Sequence, residues 1–88
     1  MRAVRIVVEG RVQGVGFRSA AQRQASLLGI NGWVRNAPDG TVEIHAECGD
    51  DVLELFLSWC RVGPASARVD GIRVEDVPAE GSTGFTRR

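Results

Sequence analysis

The residues best suited to chemistry lie in Gln13-Gly14-Val15-Gly16-Phe17-Arg18, a glycine-rich turn that ends on an arginine. Gly14 and Gly16 carry no Cβ, so the backbone between Gln13 and Arg18 can take positive φ and turn several N–H groups toward one point. A helix starting at this turn adds the partial positive charge of its N-terminus. Arg18 in the first helical turn supplies a permanent charge and a planar fork of donors that matches two phosphate oxygens. Together these residue types describe an oxyanion cradle, and the expected ligand is a small phosphorylated compound.

Nucleotide signatures are absent. No Gly-Lys-Ser/Thr follows Gly10, the chain contains no lysine, and a dinucleotide fingerprint begun at Gly14 and Gly16 meets Ser19 where its third small residue belongs. Glycines between a strand and a helix are most often only a tight turn, and a first-turn arginine is most often solvated. The cradle therefore needs support from a second motif.

The elements that must position it follow from periodicity. Val4, Ile6 and Val8 alternate with Arg5, Val7 and Glu9, the period of two of a strand with one strongly apolar face, expected at the centre of a sheet. Phe17, Ala21, Ala25 and Leu28 recur at helical spacing, with Gly29 placed for a left-handed C-terminal cap. Residues 32–36 and 41–47 are extended runs joined by Ala37-Pro38-Asp39-Gly40, which suits a turn and makes the pair a hairpin. Leu53, Phe56, Leu57 and Cys60 form the stripe of a second helix that Asp50 or Asp51 can cap and Gly63-Pro64 ends.

An extended stretch from about Ala67 to Val77 follows, with Gly71 as a bulge or kink, then a loop to Gly84 and a short terminal strand at Phe85 and Thr86. The order strand, helix, strand, strand, helix, strand is that of the α+β, ferredoxin-like split β-α-β fold: an antiparallel sheet with two helices on one face.

Composition narrows the function classes. At 88 residues the chain reads as one domain, residues 1–88, able to bury roughly 60–65% of its unfolded surface. The 11 arginines and 11 acidic residues cancel to a net charge of zero, which argues against nucleic-acid or anionic-membrane binding through bulk charge. An RNA-recognition module on the same fold needs exposed aromatics on its central strands, yet there is no tyrosine and the first strand holds no aromatic residue. No apolar run is long enough for a membrane span and no signal-peptide pattern follows Met1, so a cytoplasmic protein is expected. Cys48 and Cys60, twelve apart, fit neither a redox pair nor a zinc knuckle, and read as reduced structural thiols with a bridge left open.

The second motif is Gly32-Trp33-Val34-Arg35-Asn36 followed by Gly40 and Val42. Gly10-Arg11-Val12-Gln13-Gly14-Val15-Gly16-Phe17-Arg18 resembles the N-terminal signature of the acylphosphatases, and this run resembles their second. Order, separation, length and coarse fold agree with that family over nearly the whole chain. Two positions depart from it. A glycine usual at the position of Cys48 comes one residue later, at Gly49, and Ser19 follows Arg18 where many relatives carry a bulkier side chain.

The resemblance implies hydrolysis of small acyl phosphates to carboxylate and phosphate without a metal or cofactor; a monomer is expected from the chain's size and the absence of an obvious surplus apolar face. It implies that Arg18 and the backbone N–H groups of Gln13, Gly14, Val15, Gly16 and Phe17 grip the phosphoryl group, while Asn36 orients the attacking water. A second reading is a non-catalytic module that binds phosphate or carbamoyl phosphate. Which acyl phosphate is the physiological substrate is left open, because the motifs address the phosphoryl end.

Other residues fit ordinary roles. His45, between Ile44 and Ala46, should face away from the core as a surface histidine without an acidic partner. Asp50-Asp51 suits a helix cap better than a metal site, having no third carboxylate suitably close. Trp33 and Trp59 suit core or helix packing better than a stacking platform, and Arg35 should point to the sheet face opposite Asn36. Ser19 has no His or Asp pattern to activate it for covalent chemistry.

Overall fold

The computed structural model describes residues 1–88 as β1 (Arg2–Arg11), α1 (Phe17–Leu27), β2 (Asn31–Asn36), β3 (Val42–Cys48), α2 (Asp50–Cys60), β4 (Arg68–Asp76) and β5 (Phe85–Arg87). The sheet order is β4-β1-β3-β2-β5. β1 runs antiparallel to β3 and β4, and β2 antiparallel to β3. The short terminal strand β5 extends this ferredoxin-like sheet with one parallel pairing, to β2.

Strand alternation sorts the side chains to two faces. Val4, Ile6, Val8, Val34, Val42, Ile44, Ala46 and Phe85 meet Phe17, Ala21 and Ala25 of α1 and Leu53, Phe56, Leu57 and Cys60 of α2 in one buried cluster. Full burial of each large apolar side chain contributes about 1.5–3 kcal/mol. Trp59 packs on that cluster against Phe17 and Phe56, with ring centroids 5.4 and 6.1 Å away.

Gly29 closes α1 at φ 72, where the Ile30 N–H donates to the Ala25 carbonyl at 2.9 Å and the Gly29 N–H to Ser26 at 3.2 Å. That pair of bonds is the Schellman arrangement the sequence invites. α2 begins differently from expectation. Its cap residue is Gly49, in an extended conformation, with no side-chain cap bond. β3 runs through Cys48 and leaves only Gly49 as a link, so Asp50 and Asp51 are already helical and act through their charge on the positive helix end. The Cys48-Gly49 departure therefore sets where the strand ends, beside Arg2 at the end of the sheet away from the loop after β1. On β4 the bulge falls on Asp70, beside Gly71: Glu9 pairs with Gly71 and Gly10 with Val69. A bulge bends and twists its strand, here where β1 departs for the glycine-rich turn.

The helix-free face departs further from the sequence reading. His45 does face away from the helices, yet it is only 3% exposed, because residues 77–80 border the same hollow on this face. Its Nε2 lies 2.6 Å from Oε2 of buried Glu47, an acidic partner at the i, i+2 spacing that puts both side chains on one strand face. Trp33 stacks on His45 at 5.8 Å, donates to Glu80 at 3.0 Å and carries the Arg88 guanidinium 4.4 Å from its ring centroid. It is thus a plate on this face and no part of the helix-side core. Arg35 points here, as alternation requires, and pairs with Glu43 at 2.5 Å.

Cys48 and Cys60 are both buried and unbridged. Burial raises both thiols above their ordinary range, Cys60 to about 12.

Candidate active site

The turn after β1 takes the conformation its glycines permit. Gly14 and Gly16 have φ of 73 and 78, and a Cβ built on either would meet nothing within 4 Å. Steric crowding therefore does not explain these glycines; the left-handed backbone does, at a cost of about 1–2 kcal/mol for an ordinary residue. Gly16 is itself the N-cap of α1 and brings no side-chain cap.

That geometry leaves donors free. The N–H groups of Gln13, Gly14, Val15 and Gly16 reach no protein acceptor, and the first bond into α1 runs from the Ala20 N–H to the Gly16 carbonyl at 3.1 Å. Phe17, Arg18 and Ser19 stand in the first turn, where a helix has no internal partner for its N–H groups. A run of amides and a helix N-terminus thus border one space.

The space is a cavity of about 190 Å³ lined by Val12, Gly14, Gly16, Phe17, Arg18, Ser19, Asn36 and Arg87. Arg18 and Asn36, eighteen residues apart in sequence, share its wall. Asn36 gets there because it is two residues beyond buried Val34 on β2 and so faces the helix side at the strand's end. Its Oδ1 is the one buried side-chain polar atom in the chain with no hydrogen-bond partner. Arg18 Nη1 donates to the main-chain oxygen of Arg88 at 2.7 Å and pairs with no Asp or Glu side chain.

Gln13 and Val15 do not line the cavity. The Gln13 side chain instead donates to the carbonyls of Ala37 and Thr41, at 2.8 and 2.9 Å. The Val15 carbonyl accepts from Ser66 Oγ at 2.6 Å. Both residues anchor the turn, Gln13 to the β2–β3 hairpin and Val15 to the segment after α2.

Sequence reasoning missed Arg87. It faces the helix side because it is two residues beyond buried Phe85 on β5, and its Nη1 donates to Ser19 Oγ. Extending the terminal strand by one residue beyond Thr86 would have placed it on that face. No Asp, Glu or His lines the cavity, and no group of three or more His, Cys, Asp and Glu side chains in the chain is arranged to hold a metal ion.

This wall offers permanent positive charge, free amides and one neutral acceptor, the equipment for holding an anion and orienting a small polar molecule beside it. A family model described as Acylphosphatase matches residues 4–87. An acylphosphatase of Methylococcus capsulatus is 49% identical over 81 residues, covering 92% of this chain and 88% of that protein. The crystal structure of acylphosphatase from Bacillus subtilis matches with a TM-score of 0.96 and 39% identity, covering 100% of this chain and 99% of that one. An acylphosphatase structure from Coxiella burnetii gives a TM-score of 0.94 at 32% identity, covering 99% and 92%. The chain is therefore an enzyme of the acylphosphatase family.

Proposed function

We propose that the chain hydrolyses small acyl phosphates in the cavity between the β1–α1 turn and the end of β2, with Arg18 and the turn's amides holding the phosphoryl group. Asn36 directs the attacking water. The observation that carries this reading is the unpaired, buried Oδ1 of Asn36 in a residue that shares the cavity wall with Arg18.

The chemistry asks little more of the protein. A carboxylate is a good leaving group, so the reaction mainly requires that phosphoryl charge be held and a water placed in line. The water oxygen bonds to phosphorus as the bond from phosphorus to the acyl oxygen breaks. The carboxylate leaves with that electron pair, and the proton lost by the water passes to a phosphoryl oxygen or to solvent. No general acid is needed at the leaving oxygen, in keeping with a wall that has no titratable acid or base at neutral pH. An unpaired buried acceptor costs about 1–3 kcal/mol, a cost relieved when it accepts from a water.

A module that binds phosphate or carbamoyl phosphate without turnover would use Arg18 and the amides in the same way and would leave Asn36 without a task. Release of carboxylate and phosphate from acetyl and benzoyl phosphate, with chelator present and no metal added, separates the two. Turnover supports the enzyme; a folded protein that binds phosphate without turnover assigns it to the binders. The working form is taken as a cytoplasmic monomer, and a dimer in sedimentation at assay concentration would contradict the monomer.

A further inference from the structure

Arg18 is aimed by a main-chain oxygen that the opposite face of the sheet helps to hold. Its hydrogen bond within the chain runs from Nη1 to that oxygen, on Arg88, at 2.7 Å. A guanidinium carries several N–H donors in one plane. A bond from one of them sets the direction of the rest and leaves them free for phosphoryl oxygens.

Arg88 lies one residue past β5, a strand of 3 residues at the edge of the sheet. Its main chain is tied to β2 by the bond from its N–H to the Val34 carbonyl at 2.8 Å. Exposed bonds at the end of a short edge strand open at low free energy. The side chain adds a second tie on the helix-free face, where the guanidinium stands 4.4 Å from the Trp33 ring centroid. Trp33 is a fixed plate. It stacks on His45 at 5.8 Å with the ring planes 13° apart and donates to Glu80 at 3.0 Å, while His45 Nε2 lies 2.6 Å from Glu47. Arg88 thus joins this plate on one face to Arg18 on the other.

We infer that Trp33 is a positioning residue for Arg18, acting across the sheet through its cation–π contact with the Arg88 guanidinium. The inference rests on the reading above, in which Arg18 holds the phosphoryl group. Without the contact, the Arg88 oxygen leaves Arg18 for part of the time, and the guanidinium is aimed at the cradle in only a fraction of the molecules. Apparent affinity falls by that fraction. A bound phosphoryl group selects the aimed state, so kcat is kept and the loss appears in KM and in phosphate binding alike.

The test measures the Kd of inorganic phosphate by calorimetry, with kcat and KM for benzoyl phosphate, in wild type, Arg88→Gln, Arg88→Lys, Trp33→Leu and the Arg88→Gln/Trp33→Leu double variant. Arg88 is exposed, so its replacements leave the core untouched. Arg88→Gln and Trp33→Leu are each expected to raise phosphate Kd and KM together by about twofold to fivefold, the scale of one exposed cation–π contact, with kcat unchanged. The double variant is expected to match Trp33→Leu, because both substitutions remove the same contact. Arg88→Lys keeps a cation over the ring and is expected to fall nearer wild type than Arg88→Gln. Losses that add in the double variant, or a phosphate Kd unchanged in folded Arg88→Gln, would overturn the positioning role and leave the cradle standing. A folded wild type that binds no phosphate would overturn both.

Discussion

Gln13 Nε2 donates to the carbonyl oxygen of Ala37 at 2.8 Å, one residue beyond Asn36. The turn that would hold the phosphoryl group and the strand end that would direct the water are therefore joined by a side chain that touches neither ligand. The same amide nitrogen reaches the Thr41 carbonyl at 2.9 Å, across the hairpin turn. Gln13→Glu keeps the size and replaces the two donated bonds with acceptors facing acceptors. This variant is expected to lose about 1–3 kcal/mol of stability and to lower kcat more than phosphate affinity, since the turn's own amides remain. A kcat within twofold of wild type in the folded variant would show that the two halves of the site do not need this link.

Arg18 differs from a lysine in shape more than in charge. Its planar fork donates two parallel bonds to a phosphate, whereas an ammonium is a point charge. Arg18→Lys is expected to cut kcat by about 10²–10³, the scale of one lost oxyanion donor, and to weaken inorganic phosphate binding together with it. Near-normal phosphate affinity in this variant, measured by competitive inhibition or calorimetry, would move the phosphate away from Arg18.

The Glu47 carboxylate carries a pH dependence of stability rather than of rate. Hydrogen bonding from His45, then from the Glu80 N–H, holds Glu47 below the ordinary carboxylate range. A depressed folded-state pKa means the ionised form stabilises the fold, fully so above the unfolded value near pH 4.3, and that this is lost as pH falls through the folded value. Glu43 behaves likewise: burial opposes its ionisation, but the bonds from Arg5 and Arg35 outweigh it and lower its pKa. Glu47→Gln should therefore be less stable than wild type near neutrality and lose stability less steeply between about pH 5 and 3, with the Glu43 part of the slope remaining. Urea midpoints at several pH values check this, and parallel curves for the two proteins would sink it.

The site was legible in the sequence where neighbouring residues build it. Positive φ at Gly14 and Gly16, Arg18 in the first helical turn and Asn36 at a strand end all follow from local residue types, and the structure places them as read. Residues that act through distant pairings were not legible. Arg87 reaches Ser19 only because β5 adds to the β2 edge, a choice of strand order that three residues of β5 do not announce. Local sequence points His45 to the surface and Trp33 to the core because nothing in it says that residues 77–80 border their face or that Arg88 caps the tryptophan. The acidic pair at 50–51 misled for a smaller reason: either aspartate suits an N-cap, and the cap falls on Gly49, one residue before the pair.

The most direct measurement is the effect of Asn36→Ala on benzoyl phosphate turnover and on the inhibition constant of inorganic phosphate, in the same preparation with chelator present. The account predicts a kcat lower by about 10²–10³ with phosphate inhibition within about threefold of wild type, because the alanine removes the acceptor for water and leaves Arg18 and the amides in place. A phosphate inhibition constant that rises in step with the loss of kcat would contradict it, making Asn36 a residue that grips the phosphoryl group or shapes the cradle rather than one that directs the water.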